Sequence, residues 1–422
     1  MGLRNYIDQK ISPHFHEGGK LERYYVFYEM FDTMLYHPSD VTKTNSHVRD
    51  GIDLKRVMIT VWLAAMPALI FGMYNIGFQA NNQIAQFGAT PIEGWRMDLL
   101  LMLMGSAEAA FNPGSWVANF MHGAMYLVPI FIVVYISGFI WEGLFAWKRG
   151  HEVNEGFFVT GILSVLILPP TIPLWQVFLG VSFAVVVGKE IFGGTGKNFL
   201  NPAMTGRAFL YFAYPAYMSG DTVWMAVDGV SAATPLAMAA AGNLDYSVGL
   251  QGVAGTMAGM DLTWMHTAFG GISGSIQGSI GETSLIWIAI GAIILLWTRI
   301  ASWRIMLSMV LGMAATATMF NMIGSDTNPM FDMPWFWHLS IGGFAFATVF
   351  MATDPVSAAL TNTGKLWFGF IIGLMTVLIR VVNPAFPEGV MLAVLFGNLV
   401  APLIDYGVMK ANISRRMRRL EA

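Results

Sequence analysis

The 422-residue sequence contains no cysteine, which excludes a disulfide and any iron–sulfur cluster held by thiolates of this chain alone. Charge is scarce too: Asp, Glu, Lys and Arg supply 12% of the residues, against about 25% in soluble domains. No cleavable leader is visible, because the opening MGLRNYIDQKISPHFHEGGK is polar where a leader needs an apolar core. MGLRNY also lacks the Ser or Thr of a myristoylation signal. The formal net charge of −3 gives no sign of a nucleic-acid partner.

What the chain does contain is apolar. Hydrophobic residues make up 55% of it and the mean hydropathy is +0.56, which marks an all-α polytopic membrane protein. After a mixed polar and aromatic stretch over 1–55, apolar runs predict about ten transmembrane helices. They fall at 57–76, 117–145, 156–170, 173–189, 198–217, 284–299, 303–323, 335–352, 366–382 and 389–408. Several are shorter than the ~20 residues that span a bilayer. The third ends in ILPPTIP, and short, Pro-interrupted segments predict broken or re-entrant helices that line a site instead of facing lipid.

Charge placement gives an orientation. With both termini cytoplasmic, the inner ends hold Lys55, Arg56, Lys148, Arg149, Lys189, Lys197, Arg299, Arg304, Lys365 and Lys410, and the arginine-rich tail lies on the same side. Only Arg96, Arg207 and Arg380 fall elsewhere. That asymmetry is what the positive-inside rule demands of ten spans. It divides the chain into a cytoplasmic segment 1–55, a membrane half 56–217, an outer loop 218–283, a second membrane half 284–409 and a basic tail 410–422. The outer loop carries Asp221, Asp228, Asp245, Asp261 and Glu282, with no Lys or Arg.

A weak internal echo points to duplicated halves. Glu155 and Pro169 match Glu388 and Pro402 in spacing, Pro173 to Phe183-Ala184 matches Pro334 to Phe344-Ala345, and TGKNF at Thr195 resembles TGKLWF at Thr363. Apolar helices share so few residue types that coincidence is a serious rival.

Within the outer loop stands DGVSAATPLAMA, from Asp228 to Ala239. Thr is a favoured N-cap and Pro a favoured first helical residue, so Thr234-Pro235 predicts a helix start. Exposed N–H groups at such a start suit a phosphate. On this stretch alone an ordinary capped helix is the favoured reading.

DGVSAATPL, GGTGKNFLNPAMTGRAFL and FMATDPVSAALTNTGK together resemble one family, as do SHVRDGIDLKR, HEVNEGFFVT, GSDTN and RVVNPAFPEGVMLA. Over essentially its whole length the chain resembles the B subunit of the sodium-translocating NADH:quinone reductases. In that family FMN is esterified through its phosphate to the Thr of a Ser-x-Ala-Thr motif. The resemblance therefore implies covalent FMN on Thr234, with Asp228, Ser231 and Ala233 around it; Ala232 stands where relatives usually have Gly. It also implies a periplasmic flavin transferase, in agreement with the orientation obtained from charge.

The same resemblance implies a noncovalent riboflavin. We expect it against Asn198 and Asn201, three apart and so on one helix face. The neighbouring Gly193, Gly194 and Gly196 do not form a P-loop, since Ile191 and Asn198 occupy the first Gly and the Ser/Thr positions; a plain turn and a ligand role stay equal there. A ubiquinone pocket is implied near Gly138, Phe139 and Trp141, with Phe139 replacing a frequent Gly. Aromatics of the N-terminal ERYYVFYEMFDTMLYHP could pack on a quinone ring, or rest on the membrane surface.

Ionisable residues inside a membrane are functional candidates by default. Glu142, Asp354 and Asp405 form the set expected to handle Na⁺, although each alone reads better as a helix-end cap or a snorkelling acid. Arg380 is expected to pair with an acid such as Glu388 or to contact a phosphate. His122 and His338 read as core residues.

The implied function is that of a membrane subunit, inactive alone, that passes electrons to ubiquinone while the complex exports Na⁺ across the inner membrane. No Gly-x-Gly-x-x-Gly opens a helix after a strand here. NADH oxidation therefore falls to a partner subunit with FAD and an iron–sulfur centre, and a second FMN-bearing subunit is expected as well. Two rivals stay open: the D subunit of an Rnf-type complex, and a cofactor-free channel or secondary transporter.

Overall fold

A computed structural model describes residues 6–16, 18–25, 28–29, 32, 54–150, 153, 156–219, 224, 226–228, 234–242, 277–383 and 387–421. The described chain is helical apart from one two-stranded ribbon. Among the described residues, six helices are long and apolar enough to cross a membrane, and the chain is a multi-pass membrane protein.

Helix α1 is Leu54–Phe87, α2 is Trp95–Met104 and α3 is Trp116–Arg149. The 34 residues of α1 and of α3 correspond to about 51 Å each, well beyond a ~30 Å hydrocarbon core. Ser115 caps α3 by accepting from Ala118 N, and Gly150 ends it in the left-handed region at φ 69° just after Lys148 and Arg149. Helix α2 has no counterpart among the ten apolar runs; at ten residues it is too short to span.

The next helices are α4 (Gly156–Leu166), α5 (Leu174–Val186) and α6 (Pro202–Ala213). Asn201 caps α6, accepting from Met204 N, and Pro202 opens it. Then come α7 (Pro235–Ala240), α8 (Leu285–Trp297), α9 (Trp303–Ile323), α10 (Trp335–Ser340), α11 (Asn362–Val382) and α12 (Val390–Glu421). Helices α9 and α11 share the most extensive contact in the molecule. Glycines permit it: a Cβ at Gly312 would lie 2.3 Å from Phe370 O, and one at Gly373 2.0 Å from Met309 O.

The chain breaks in two places at membrane depth. Helix α4 stops at Leu166 and the three prolines of ILPPTIP forbid its continuation before α5. The second break was not legible as such. The run expected over 335–352 is α10, an extended Ile341, Gly342 at φ 69°, and then Phe344–Phe346 leading into a π-turn over Ala347–Met351. Glycine makes this break, not proline.

Both breaks find hydrogen-bond partners inside the protein. The non-helical stretch before α8 lies against the first: Gly281 N donates to Leu166 O at 2.7 Å and Ile280 N to Leu168 O at 3.3 Å. At the second, Arg380 Nη1 donates to His338 O at 2.8 Å and Nη2 reaches Ile341 O at 3.4 Å. Glu282 connects the two, since a Cβ on Gly343 would lie 2.5 Å from its carboxylate.

An ion cluster sits beside these breaks. Arg207 of α6 donates to Glu282 and to Glu388, each at 2.7 Å. The expected partner of Glu388 was Arg380; the structure gives that place to Arg207, and Arg380 makes its hydrogen bonds to the carbonyls of the second break. The paired prolines of the internal echo also differ in role: Pro169 stands in a break, whereas Pro402 lies inside continuous α12.

Removing one member of a buried ion cluster strands the others, at about 3–5 kcal/mol. Arg207→Met should therefore lower the melting temperature of the purified complex clearly in a fluorescence melt. Arg416→Met, on the exposed end of α12, should leave it unchanged.

Candidate functional site

A cavity opens where the starts of α1 and α4 meet the end of α8. Its walls are mostly apolar, including Val61, Leu163, Leu295 and Phe350, and its polar groups come from two turns, 189–201 and 353–356. That mixture suits a small organic molecule held by a few oriented polar groups.

Asn198 and Asn201 both line this cavity, but not from one helix face, because α6 begins only at Pro202. Asn198 Nδ2 donates to Leu200 O at 2.9 Å, which leaves its amide oxygen for a ligand N–H. Asn201 Oδ1 caps α6, and its Nδ2 lies 3.4 Å from Asp354 Oδ2. Thr195, between Gly194 and Gly196 with φ of 93° and 84°, presents a buried hydroxyl that has no hydrogen-bond partner. The glycine-rich turn thus forms one wall of the cavity.

The three acids expected to handle Na⁺ do not converge. Asp354 lines the cavity and accepts from Val356 N at 3.1 Å and Ser357 Oγ at 2.8 Å. Burial pushes its carboxyl up, against the pull of these bonds. Glu142 forms a buried ion pair with Lys189, which itself lines the cavity. Asp405 accepts from Leu360 N, Thr361 N and Thr361 Oγ, tying α12 to the start of α11. Among the described residues, no three His, Asp or Glu side chains group as a metal site.

Gly138 and Phe139 belong to an aromatic cluster. Phe139 lies with its ring centroid 5.6 Å from both Phe157 and Phe158 and 5.9 Å from Tyr135. Trp62 Nε1 donates to Tyr135 OH, which donates to Phe158 O. Trp141 faces away, donating to Ser182 Oγ of α5 at 2.8 Å. The N-terminal segment approaches this end of α3, with the Arg23 guanidinium 5.2 Å over the Trp147 ring.

Thr234 caps α7 as the sequence predicts. It is 7% exposed, and its hydroxyl oxygen accepts from Ala237 N at 3.3 Å. Asp228 is exposed and pairs with Thr90 in the ribbon that joins this loop to the α1–α2 connection. Ser231 and Ala233 lie outside the described residues. Helix α7 rests on the second break, because Leu236 fills the space that a Cβ on Gly342 would need. His122 and His338 are core residues, His122 bonded to Asn81 Oδ1 at 2.7 Å and His338 beside Arg380.

Residues 41–414 match the sequence profile described as the NQR2, RnfD, RnfE family. The chain belongs to that family. It is 60% identical to the B subunit of the Na(+)-translocating NADH-quinone reductase of Chromohalobacter salexigens, over 99% of this chain and 97% of that one. It is 59% identical to the B subunit of Stutzerimonas stutzeri, over 99% of this chain and 100% of that one. For the Pseudomonas aeruginosa protein of the same name the identity is 57% over the same shares. Chains of that name thus match this one over 99% of its length.

Sequence reasoning missed Arg207, Glu282 and Lys189 as partners, since each pairs with a residue more than 40 positions away. It also missed the role of Phe157. A Cβ on Gly138 would fall 1.7 Å from the tip of that buried ring. Gly138→Ala should therefore destabilise the complex by about 1–3 kcal/mol, the usual cost of overpacking. Adding Phe157→Leu should recover most of the loss in the same thermal melt.

Proposed function

We propose that the chain is the membrane subunit of a Na⁺-translocating NADH:quinone reductase that holds flavins and passes electrons toward ubiquinone. Near-complete likeness to chains bearing that name supports the assignment to the complex. The proposal sets both termini in the cytoplasm, the 218–283 loop in the periplasm and the helices in the inner membrane. NADH oxidation falls to a partner subunit with FAD and an iron–sulfur centre, and a second FMN-bearing subunit shares the relay.

The observation that carries the flavin reading is the Thr234 hydroxyl at the head of α7. Esterification by FMN leaves Oγ bonded to Cβ, so the oxygen still accepts from Ala237 N, and the cap is compatible with the tether. Asp228, Ser231 and Ala233 would surround the attachment. A flavin accepts and releases one or two electrons; the protein's part is to fix it in place and to tune its surroundings.

Riboflavin is assigned to the cavity of Asn198 and Asn201. The free Asn198 carbonyl oxygen and the unpartnered Thr195 hydroxyl suit the polar edge of its ring system, and the apolar walls suit its tricyclic body. Ubiquinone is assigned to the Gly138–Phe139 cluster, where rings packed edge-on and tilted offer an aromatic surface beside the N-terminal segment. Trp141 supports that pocket by fixing α3 to α5. In this reading Asp354 and Glu142 attract Na⁺ at the cytoplasmic side and Asp405 braces the α11 start. The Lys189 ammonium keeps Glu142 charge-compensated until a cation competes for it.

The test is direct. The complex run on a denaturing gel should show this subunit fluorescent under ultraviolet light, and Thr234→Ala should abolish that band. A dark wild-type band would favour a cofactor-free transporter.

A further inference from the structure

An open groove lies between α11 and α12, toward the basic end of α12. Its inner walls are Trp367 and Ile371 of α11 and Leu403 and Ile404 of α12; its outer end is formed by Asn412 and Arg415. The apolar part of the α12 wall, from Leu403 to Ala411, is eight residues, or about 12 Å of helix. That is close to one leaflet of a ~30 Å hydrocarbon core. The groove is thus apolar for one leaflet's depth and polar at its mouth.

Its polar end is unpaired. Neither Asn412 nor Arg415 has a hydrogen bond or ion pair among the described residues, and Asp405, the nearest acid along α12, is already held by Leu360 and Thr361. Around Arg415 stand Lys410, Arg416, Arg418 and Arg419, with Glu421 the one acid beyond Asp405 on the helix. A guanidinium matches a phosphate in two parallel hydrogen bonds. Trp367 and Leu403 are 57% and 70% exposed, so the walls offer apolar surface that none of the described residues covers. Gly407 lies in the groove floor, and a Cβ there would meet nothing within 4 Å. Its lack of a side chain serves no helix contact; it leaves the depression open.

We propose that this groove binds one anionic glycerophospholipid, its phosphate on Arg415 and Asn412 and an acyl chain along Trp367, Leu403 and Gly407. The charge at the mouth and the leaflet-deep apolar floor select this occupant. A helix of another subunit would cover the walls but has no need of an unpaired arginine at their polar end.

The test uses the whole complex, purified, stripped of lipid in detergent and titrated with phosphatidylglycerol or phosphatidylcholine under native mass spectrometry. Wild type should retain one phosphatidylglycerol more than Gly407→Leu, which fills the groove without touching the helix packing and so should fold. Arg415→Gln should weaken phosphatidylglycerol retention ~5-fold, the weight of one basic residue at an anionic surface, and leave phosphatidylcholine unaltered. Equal retention of phosphatidylglycerol by wild type and both variants would overturn the proposal. So would a density map of the complex with a protein helix seated against Trp367 and Leu403.

Discussion

The structure depends on one constraint: a backbone interrupted at membrane depth must find its hydrogen bonds inside the protein, because lipid supplies none. Two helices are interrupted here, at 167–173 and at 341–343. The first break is served by Ile280 and Gly281 of a third non-helical segment, and the second by the guanidinium of Arg380. Each solution requires the other elements to be close. The three stretches therefore sit together, with Glu282 touching the second break and bonded to Arg207.

From that centre the rest follows. Arg207 holds Glu388 as well, so the start of α12 is tied to α6, and α7 rests on Gly342. On the basic side, a cavity lies between the starts of α1 and α4 and the end of α8. Turns fill its rim with Thr195, Asn198, Asn201 and Asp354. A second set of ties, Glu142 to Lys189 and Arg149 to Glu190 at 2.6 Å, joins the end of α3 to the turn that carries these residues. The polar cavity and the aromatic cluster of Gly138 and Phe139 are thus two faces of the same joint.

Much of this was legible in the sequence. Hydropathy located most apolar runs to within a few residues, although α1 and α12 continue well past the expected ends at 76 and 408. Pro169, Pro170 and Pro173 marked the first break, because proline removes a donor and collides with the preceding turn. Thr234-Pro235 declared its helix start by local capping alone, whereas the start at Asn201-Pro202 was missed, because the apolar run was taken to begin at 198. What local pattern could not reveal was pairing at a distance. Nothing near Arg380 says that its partners are carbonyls of a broken helix, and nothing near Glu388 distinguishes Arg207 from Arg380. The second break hid behind an unbroken apolar run, since Gly342 and Gly343 are as common in packed membrane helices as in interruptions. Asn198 and Asn201 were expected on one helical face; they line one cavity instead from the turn that precedes α6.

The most direct test of the account is whether the first break and the segment before α8 meet. The chain has no cysteine of its own, so Leu168→Cys and Ile280→Cys can be placed in it together without background. Mild oxidation of the membrane-embedded complex should join them, and proteolysis within 218–276 should then leave the two halves connected on a non-reducing gel. Two separate fragments, each with a thiol open to alkylation after oxidation, would contradict it.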